Sequence, residues 1–550
     1  MPSVAVSPRA ESPSANPPAL SAPESAQRFY ADLAAIVLLG ALFTLTWTLG
    51  VAATMTYGHD LFIALDAGWR TSHGQVPHAD FYSPWGAAVS LLLGLAMRLA
   101  HNTPNCIAVA NAIVGLAASA VAYRIGRRRL HPVAAVLFAF FVFTTGAAPS
   151  VLGEYVPSNG MFYTRWAVAL LAVVLMECFA PDESTAESAS YAGAACVLLF
   201  FIKLNMFLVG AGLIVLSLLF VSGRRWRGLG LGAACAALFM FLCLRFHLAG
   251  IWHDYSIILH VKEHGTTQRI MLQNAGDMLP WLLFCLLLAA AMATTAETWR
   301  ARLWPAALAL FVYAADVAAS STNAPFAARA ALVTFFVFLA AEQLLRRGIC
   351  VPRLPQVQFA LPMITALLVL LSAGEFVHAH FGSLLAYWLD ISVTWVRHAT
   401  PSLPFDSPAL AGYRVFGGPN EDNRSVNGTY LTYKVNDGLM LLRAFSSPGE
   451  SINTLDFTNP FSFAMQRTPS QSGALFLQSG IDFNDLYKPA PEQVLGGADL
   501  IMVPYCPENF CSNGSMQVEA ILRIYGPYLQ EHYSPIGQTK QWELWRRNPR

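Results

Sequence analysis

"WGAAVSLLLGLAMRLA", residues 85–100, is apolar enough for a membrane and short for a crossing. A bilayer core about 30 Å thick takes about 20 apolar residues in a helix. The segment starts on Ser83-Pro84, which predicts a helix capped by the serine with proline in its first turn. It carries Arg98 and is followed by His101. Whether it crosses decides the side on which every later loop falls.

The rest of the chain supplies the arbitration. Of 550 residues, 55% are hydrophobic and 12% charged, against about 25% charged in soluble proteins. This composition predicts a polytopic membrane protein. A net charge of +1 offers no reason for a nucleic-acid partner. Runs long enough to span fall near 31–54, 106–123, 132–148, 163–180, 228–247, 280–296, 304–320, 326–345 and 357–376. The longer run 190–221 is broken by Lys203 and Asn205 and reads as two short spans, giving about eleven in all. Four arginine clusters follow: Arg124 with Arg127, Arg128 and Arg129; Arg224 with Arg225 and Arg227; Arg300 with Arg302; Arg346 with Arg347 and Arg353. With 85–100 lying at the interface, all four clusters and Arg28 share the cytoplasmic side. With 85–100 spanning, the clusters face outward while Arg28 stays inside. The positive-inside bias selects the first count. The N-terminus is then cytoplasmic, and 55–105, 149–162, 248–279 and 377–550 are extracytoplasmic. Residues 1–27, rich in Pro, Ser and Ala, are expected to lack order. They do not read as a cleavable signal peptide. No internal repeat of the transporter kind is visible.

From about residue 400 the composition turns polar. Residues 380–398 read as an amphipathic connector at the membrane surface. Strand-like pieces follow at 473–478, 498–506 and 541–546, with a helix at 515–532. They predict a small extracytoplasmic α+β domain over 400–550. Cys506 and Cys511 are its only cysteines. In an oxidising compartment they are expected to pair as a disulfide, the alternative being two buried thiols. Two cysteines without nearby histidines fall short of a metal set.

The loop after the first span gathers His59, Asp60, Asp66, Trp69, Arg70, His73, His78 and Asp80. Read as a helix, 60–71 puts Asp60, Ala64, Ala67 and Thr71 on one face. The small residues there predict room for a ligand beside Asp60. Asp66 lies about 120° round the same helix. A solvated helix end is the alternative for any one of these carboxylates. Trp69, Phe81, Tyr82 and Trp85 are candidates for stacking on a sugar, Trp85 more readily for the interfacial aromatic belt.

An aspartate just past the first span, then "GWRTSHGQVPHADFYSPWG" and an interfacial helix, resembles the GT-C superfamily of integral-membrane glycosyltransferases. The polyprenyl-phosphate-sugar-dependent protein mannosyltransferases and the aminoarabinose transferase of lipid A belong to it. The ending "ADLIMVPYC…YGPYLQEHY…QWELWRR" is similar to the small domain that closes many such chains. The family often shows an Asp-Glu pair at the first-loop site, where this chain has His59-Asp60. The resemblance implies an all-α polytopic core with about eleven transmembrane helices in a bacterial inner membrane. It implies sugar transfer from a polyprenyl-phosphate donor to a glycan, lipid or protein acceptor, by single displacement with inversion. Asp60 would be the base that deprotonates the acceptor hydroxyl, with Asp80 and Glu154 as further catalytic carboxylates. Cations would help the phosphate leave. Lys203, an ionisable residue at the bend of two apolar spans, is one candidate, with a lysine snorkelling to the interface as the alternative. Lys262, His264 and Arg269 in the 248–279 loop are others, and an ordinary polar loop is the alternative there. His59, Asp66, Trp69 and Tyr82 complete the expected substrate contacts. Arg165 is expected near Glu154, and Asp316 near Arg329. No cofactor is expected; three loop histidines with the aspartates leave room for a divalent metal, though their spacing matches no ligand motif. No nucleotide-cradling loop is present, which fits a lipid-linked donor. The alternatives are a transporter or flippase of lipid-linked intermediates, and a GT-C-like scaffold without activity.

Overall fold

The computed structural model describes residues 22–49, 53–54, 58–148, 158, 160–179, 185–220, 231–233, 235–240, 247–261, 266–294, 296, 298–321, 331–346, 403–415, 429–505 and 515–549. It is mostly helical, with a small sheet near the C-terminus. Helix α1 (Ala22–Leu49) leads to a two-residue strand β1 (Ala53–Thr54), then α2 (Gly58–Ser72) and α3 (Ala87–Leu99). The bundle continues with α4 (Cys106–Arg129), α5 (Pro132–Ala147), α6 (Phe162–Phe179), α7 (Ala186–Ile202) and α8 (Leu204–Phe220). After α9 (Leu248–Val261) come α10 (Thr266–Ala293), α11 (Trp299–Ser321) and α12 (Ala331–Arg346).

Among the described residues, five helices are long and apolar enough to cross a membrane: Ser25–Thr48, Cys106–Arg129, Phe162–Phe179, Met271–Ala293 and Trp299–Ala318. Ile36, Leu208, Leu272 and Leu287 stand exposed on the outside of the bundle, where an apolar surface of this extent calls for lipid. The expected break at Lys203 is present. Lys203 takes an extended conformation between α7 and α8, so a charged side chain ends one helix instead of lying inside it. The N-terminal helix starts at Ala22, earlier than the span expected at 31. The 248–279 segment is not an open loop: α9 and the start of α10 fill most of it.

The two ends of the bundle differ. At one end Arg127 pairs with Asp32 at 2.5 Å, Arg124 with Glu187 at 2.8 Å, and the buried Arg129 with Glu177 at 2.7 Å. This gathers the first half of α1, the ends of α4 and α6 and the start of α7 into one basic, ion-paired rim. At the other end lie α2, α3 and the C-terminal domain. Helix α3 has 13 residues, roughly 20 Å at 1.5 Å per residue, short of the bilayer core. Its N-cap is Gly86, not Ser83. Ser83 is engaged elsewhere, its N–H donating to Asp254 at 3.0 Å and its hydroxyl to the Trp85 carbonyl. Gly86 is demanded by packing: a Cβ there would sit 2.0 Å from the Phe201 carbonyl oxygen. That contact brings the start of α3 against the end of α7, beside Lys203.

The C-terminal domain carries β2 (Arg414–Val415), helix α13 (Thr429–Phe445), β3 (Ile452–Thr454), the short helix α14 (Phe461–Ala464), α15 (Pro491–Leu495), β4 (Leu500–Pro504), α16 (Ser515–His532), β5 (Tyr533–Gln538) and β6 (Trp542–Arg547). Its four-stranded sheet has the order β3-β4-β6-β5; β3 runs parallel to β4, and the other pairings are antiparallel. Three pieces match their expected positions: β4, β6 and α16. The run 473–478 does not form a strand of this sheet. It makes isolated bridges instead, Ala474 to Tyr82 and Phe476 to Thr458. Its backbone pairs with the first loop at Tyr82, which takes the place of a neighbouring strand. Strand β1 likewise pairs with β2. One apolar core runs through both regions, joining Leu61, Phe62 and Leu65 of α2 to Leu439, Phe461, Phe463 and Trp542. Cys506, Cys511 and the 380–398 connector lie outside the described residues.

Candidate active site

The loop helix α2 holds two carboxylates in opposite surroundings. Asp66 is fully buried and takes the Arg70 Nε–H at 2.8 Å, one turn on. Asn459 reaches its other oxygen at 3.4 Å. Arg70 also donates to Gln75 Oε1 at 3.2 Å and to the carbonyls of Ser470 and Ser472 at 3.1 Å each. Its guanidinium lies over the Phe81 ring. Burial pushes the Asp66 carboxyl above its usual value, and Arg70 pulls it back. Trp69 donates its indole N–H to the Arg467 carbonyl at 2.7 Å, and Tyr82 its hydroxyl to the Asp482 carbonyl at 2.7 Å. Asp66, Trp69 and Tyr82, expected as substrate contacts, thus fasten the first loop to the C-terminal domain. Asp80, the second expected catalytic carboxylate, accepts the Val76 N–H at 2.6 Å and closes a turn.

Asp60 sits in the first turn of α2, where the helix dipole favours an anion. Its side chain is 13% exposed, and His59 Nε2 lies 3.0 Å away. The His59 ring meets the edge of Phe457 from the C-terminal domain, with centroids 4.7 Å apart. The open groove expected along Ala64, Ala67 and Thr71 is filled: Thr71 donates to the Ser90 carbonyl at 2.7 Å, and a Cβ on Gly94 would strike the Thr71 side chain. Small residues there admit α3, not a ligand. Access to Asp60 is therefore from the helix end.

From Phe457 a chain of rings leads to Phe476, Trp85 and Tyr163, the second residue of α6, with successive centroids 6.0, 6.0 and 4.9 Å apart. Lys203 reaches the last of these rings. Its ammonium donates to Thr164 Oγ1 at 3.0 Å and lies 5.3 Å from the Tyr163 ring centroid. Trp85, expected in an aromatic belt, is instead buried against Phe162, Tyr163 and Phe476. So Asp60, His59 and Lys203, three of the expected site residues, converge around aromatic rings. Neither Tyr163 nor Phe457 stood out in the sequence. An aromatic at the start of a span reads like a belt residue, and nothing in the 457 region points back 400 positions.

A second His-Asp contact lies nearby. His78 Nδ1 and Asp254 Oδ2 are 2.8 Å apart with both side chains fully buried, and the same oxygen accepts the Ser83 N–H. Burial raises the Asp254 pKa, while His78 and the Ser83 N–H oppose the shift. His73 contacts the Trp69 carbonyl. The three loop histidines therefore take separate partners, and among the described residues no three His, Cys, Asp or Glu side chains come together to hold a metal. Arg165 donates to the Thr145 carbonyl at 3.2 Å. Asp316 accepts the N–H groups of Leu332 and Val333 at 3.2 and 2.8 Å and so caps α12. Glu154, Lys262, His264 and Arg329 lie outside the described residues, as does the side chain of Arg269.

No protein-family model matches the chain, and no curated protein matches it. Among solved structures it is similar to ArnT from Cupriavidus metallidurans bound to undecaprenyl phosphate. The identity is 12% and the TM-score 0.44, over 93% of this chain and 97% of that one. It is also similar to the arabinofuranosyltransferase AftD from Mycobacteria, at 15% identity and TM-score 0.39, covering 95% of this chain and 40% of that one. A third is the archaeal oligosaccharyltransferase AglB from Archaeoglobus fulgidus in complex with an inhibitory peptide and a dolichol-phosphate. There the identity is 13% and the TM-score 0.35, over 85% of this chain and 69% of that one.

Proposed function

We propose that the chain is a membrane glycosyltransferase that moves a sugar from a polyprenyl-phosphate donor to an acceptor hydroxyl on the extracytoplasmic face. The observation that carries this reading is the run of packed rings, Phe457, Phe476, Trp85 and Tyr163, that leads from His59, in contact with Asp60, to Lys203, at the bundle end opposite the arginine rim. An acceptor alcohol is a poor nucleophile, and a carboxylate beside it takes the proton as the oxygen attacks the anomeric carbon. The bond from that carbon to the phosphate oxygen breaks in the same displacement, so the anomeric centre inverts. The departing lipid phosphate carries its own negative charge and needs a cation more than an acid. Lys203 supplies that cation. His59, in contact with Asp60, orients the carboxylate. Glu154, Lys262, His264 and Arg269 remain candidates for the acceptor and donor sides. The C-terminal domain supplies Phe457 and Phe476 to the wall of the site and closes it against water.

Membranes containing the chain are assayed with a panel of radiolabelled polyprenyl-phosphate pentoses and hexoses. Transfer of label from one of them into lipid-insoluble or lipid-linked product is expected. Asp60→Asn is expected to lower it by a factor of about 10²–10⁴, the usual contribution of a general base, with unchanged insertion into the membrane. Undiminished transfer by Asp60→Asn overturns the assignment of the base. Movement of label across sealed vesicles without transfer selects the flippase reading instead.

A further inference from the structure

We infer that Phe457 is a positioning residue for the candidate base: braced by the Lys434–Asp456 ion pair, it holds the His59 imidazole against Asp60. The inference rests on the role proposed above for Asp60. Successive residues of a helix point in different directions and do not face each other. His59 and Asp60 are successive residues at the start of α2, yet His59 Nε2 lies 3.0 Å from Asp60 Oδ1. The imidazole has to swing across the helix end to make that contact, and the second side-chain torsion of a histidine is soft. A surface outside the helix steadies it there. The Phe457 ring meets the imidazole at 69° with centroids 4.7 Å apart, within the range of a favourable edge-to-face pair. The backbone beneath the imidazole is fixed as well, since a Cβ on Gly58 would lie 2.7 Å from the Val415 side chain of β2.

Phe457 is itself tied on both sides. Its N–H donates to Asp456 Oδ1 at 2.7 Å, and its carbonyl accepts the Leu477 N–H at 3.1 Å. The other carboxylate oxygen of Asp456 accepts the Lys434 ammonium at 2.7 Å. The two side chains of this pair are only 14% and 15% exposed, so salt screens it less than a pair on the open surface. Lys434 is gripped in turn by Trp542, the first residue of β6. Its ammonium lies 4.8 Å from the Trp542 ring centroid, and its carbonyl accepts the Trp542 indole N–H at 2.7 Å. Trp542 is buried and packs edge-on against Phe461. The brace thus runs from the C-terminal sheet through α13 and the segment after β3 to the first turn of α2. A base works only when its geometry is held closely, and a side chain anchored in a sheet supplies that better than a lone one on a loop.

The test uses the full-length protein in lipid nanodiscs. It is treated with diethyl pyrocarbonate, and carbethoxylation of His59 is read by peptide mass spectrometry against the exposed His101. Phe457→Leu frees the imidazole and is expected to raise the ratio by about two- to tenfold, the shift in population that an aromatic pair is worth. Phe457→Met, which fills the volume without a ring, gives the same reading where Phe457→Leu fails to fold. Lys434→Met keeps the ring but loosens it, and is expected to move the ratio in the same direction by a smaller factor. In the transfer assay Phe457→Leu is expected to lower kcat by about tenfold or more, as a misplaced group does, with the donor KM little changed. Phe457→Tyr, which keeps the ring, should recover most of that loss. In a His59→Ala background Phe457→Leu should add nothing further, since its effect passes through the imidazole. Parent-like labelling of His59 in the ring-less variants, or an equal loss of transfer with and without His59, overturns the inference while leaving Asp60 as the base. Undiminished transfer by Asp60→Asn overturns the base instead, and the labelling then still decides whether Phe457 holds His59.

Discussion

Asp60 and Asp66 lie less than two turns apart on one helix and meet different surroundings. Asp66 is sealed in, paired with Arg70, and linked through it to the carbonyls of Ser470 and Ser472. Asp60 stands at the helix start, partly exposed, beside a histidine. The difference teaches that charge in this loop is divided by access. A buried carboxylate with a guanidinium partner holds the two regions together, and an accessible one at a dipole end remains available for chemistry.

The comparison breaks most visibly at the buried pair. Arg70→Ala leaves the Asp66 carboxylate uncompensated, and a loss of about 3–5 kcal/mol is expected, read as a large fall in the thermal midpoint of the purified protein. Replacing both partners with apolar residues, Asp66→Leu with Arg70→Met, should recover much of it. An Arg70→Ala protein as stable as the parent would show that the pair does not fasten the domain. Gly473→Ala probes the same joint from the other side. Gly473 has φ +144°, and a Cβ there would lie 2.6 Å from the Arg70 guanidinium. A cost of about 1–3 kcal/mol is expected from the strained backbone, again in the thermal midpoint.

The smallest effect concerns Asp254. Its folded-state pKa is raised by burial, so the folded chain holds that proton more tightly than the unfolded one. The stabilisation is fully present below the unfolded value and lost as pH rises through the folded one. Asp254→Asn removes this loss while keeping an acceptor for the Ser83 N–H. The thermal midpoint of the parent should therefore fall relative to the variant as pH rises above the unfolded carboxyl value of about 4. Asp66, raised for the same reason, leaves part of the slope in both proteins. Parallel curves would contradict the burial argument.

Much of the frame is legible in the residues themselves. A lysine and an asparagine in an apolar run mark the α7–α8 break, and the short apolar segment after Pro84 yields a helix too short to cross. The α16 helix and the β4 and β6 strands follow their patterns of apolar residues. What stays hidden depends on partners far along the chain. Asp66 and Arg70 show the i,i+4 spacing of any surface pair, and only the carbonyls of Ser470 and Ser472 turn it into an internal fastener. The 473–478 run has the look of a strand, yet its partner is Tyr82. Ala64, Ala67 and Thr71 are small because α3 lies on them, a reason indistinguishable in sequence from room for a ligand. Tyr163 stands out only where Trp85 and Lys203 arrive around it.

The division of labour along α2 is tested most directly by comparing Asp60→Asn and Asp66→Asn side by side, measuring sugar transfer per folded molecule and the thermal midpoint of each. Asp60→Asn should melt with the parent and transfer about 10²-fold less or worse, while Asp66→Asn should melt earlier and transfer normally per folded molecule. The reverse pattern, a fully active Asp60→Asn beside a stable but inactive Asp66→Asn, would contradict the account.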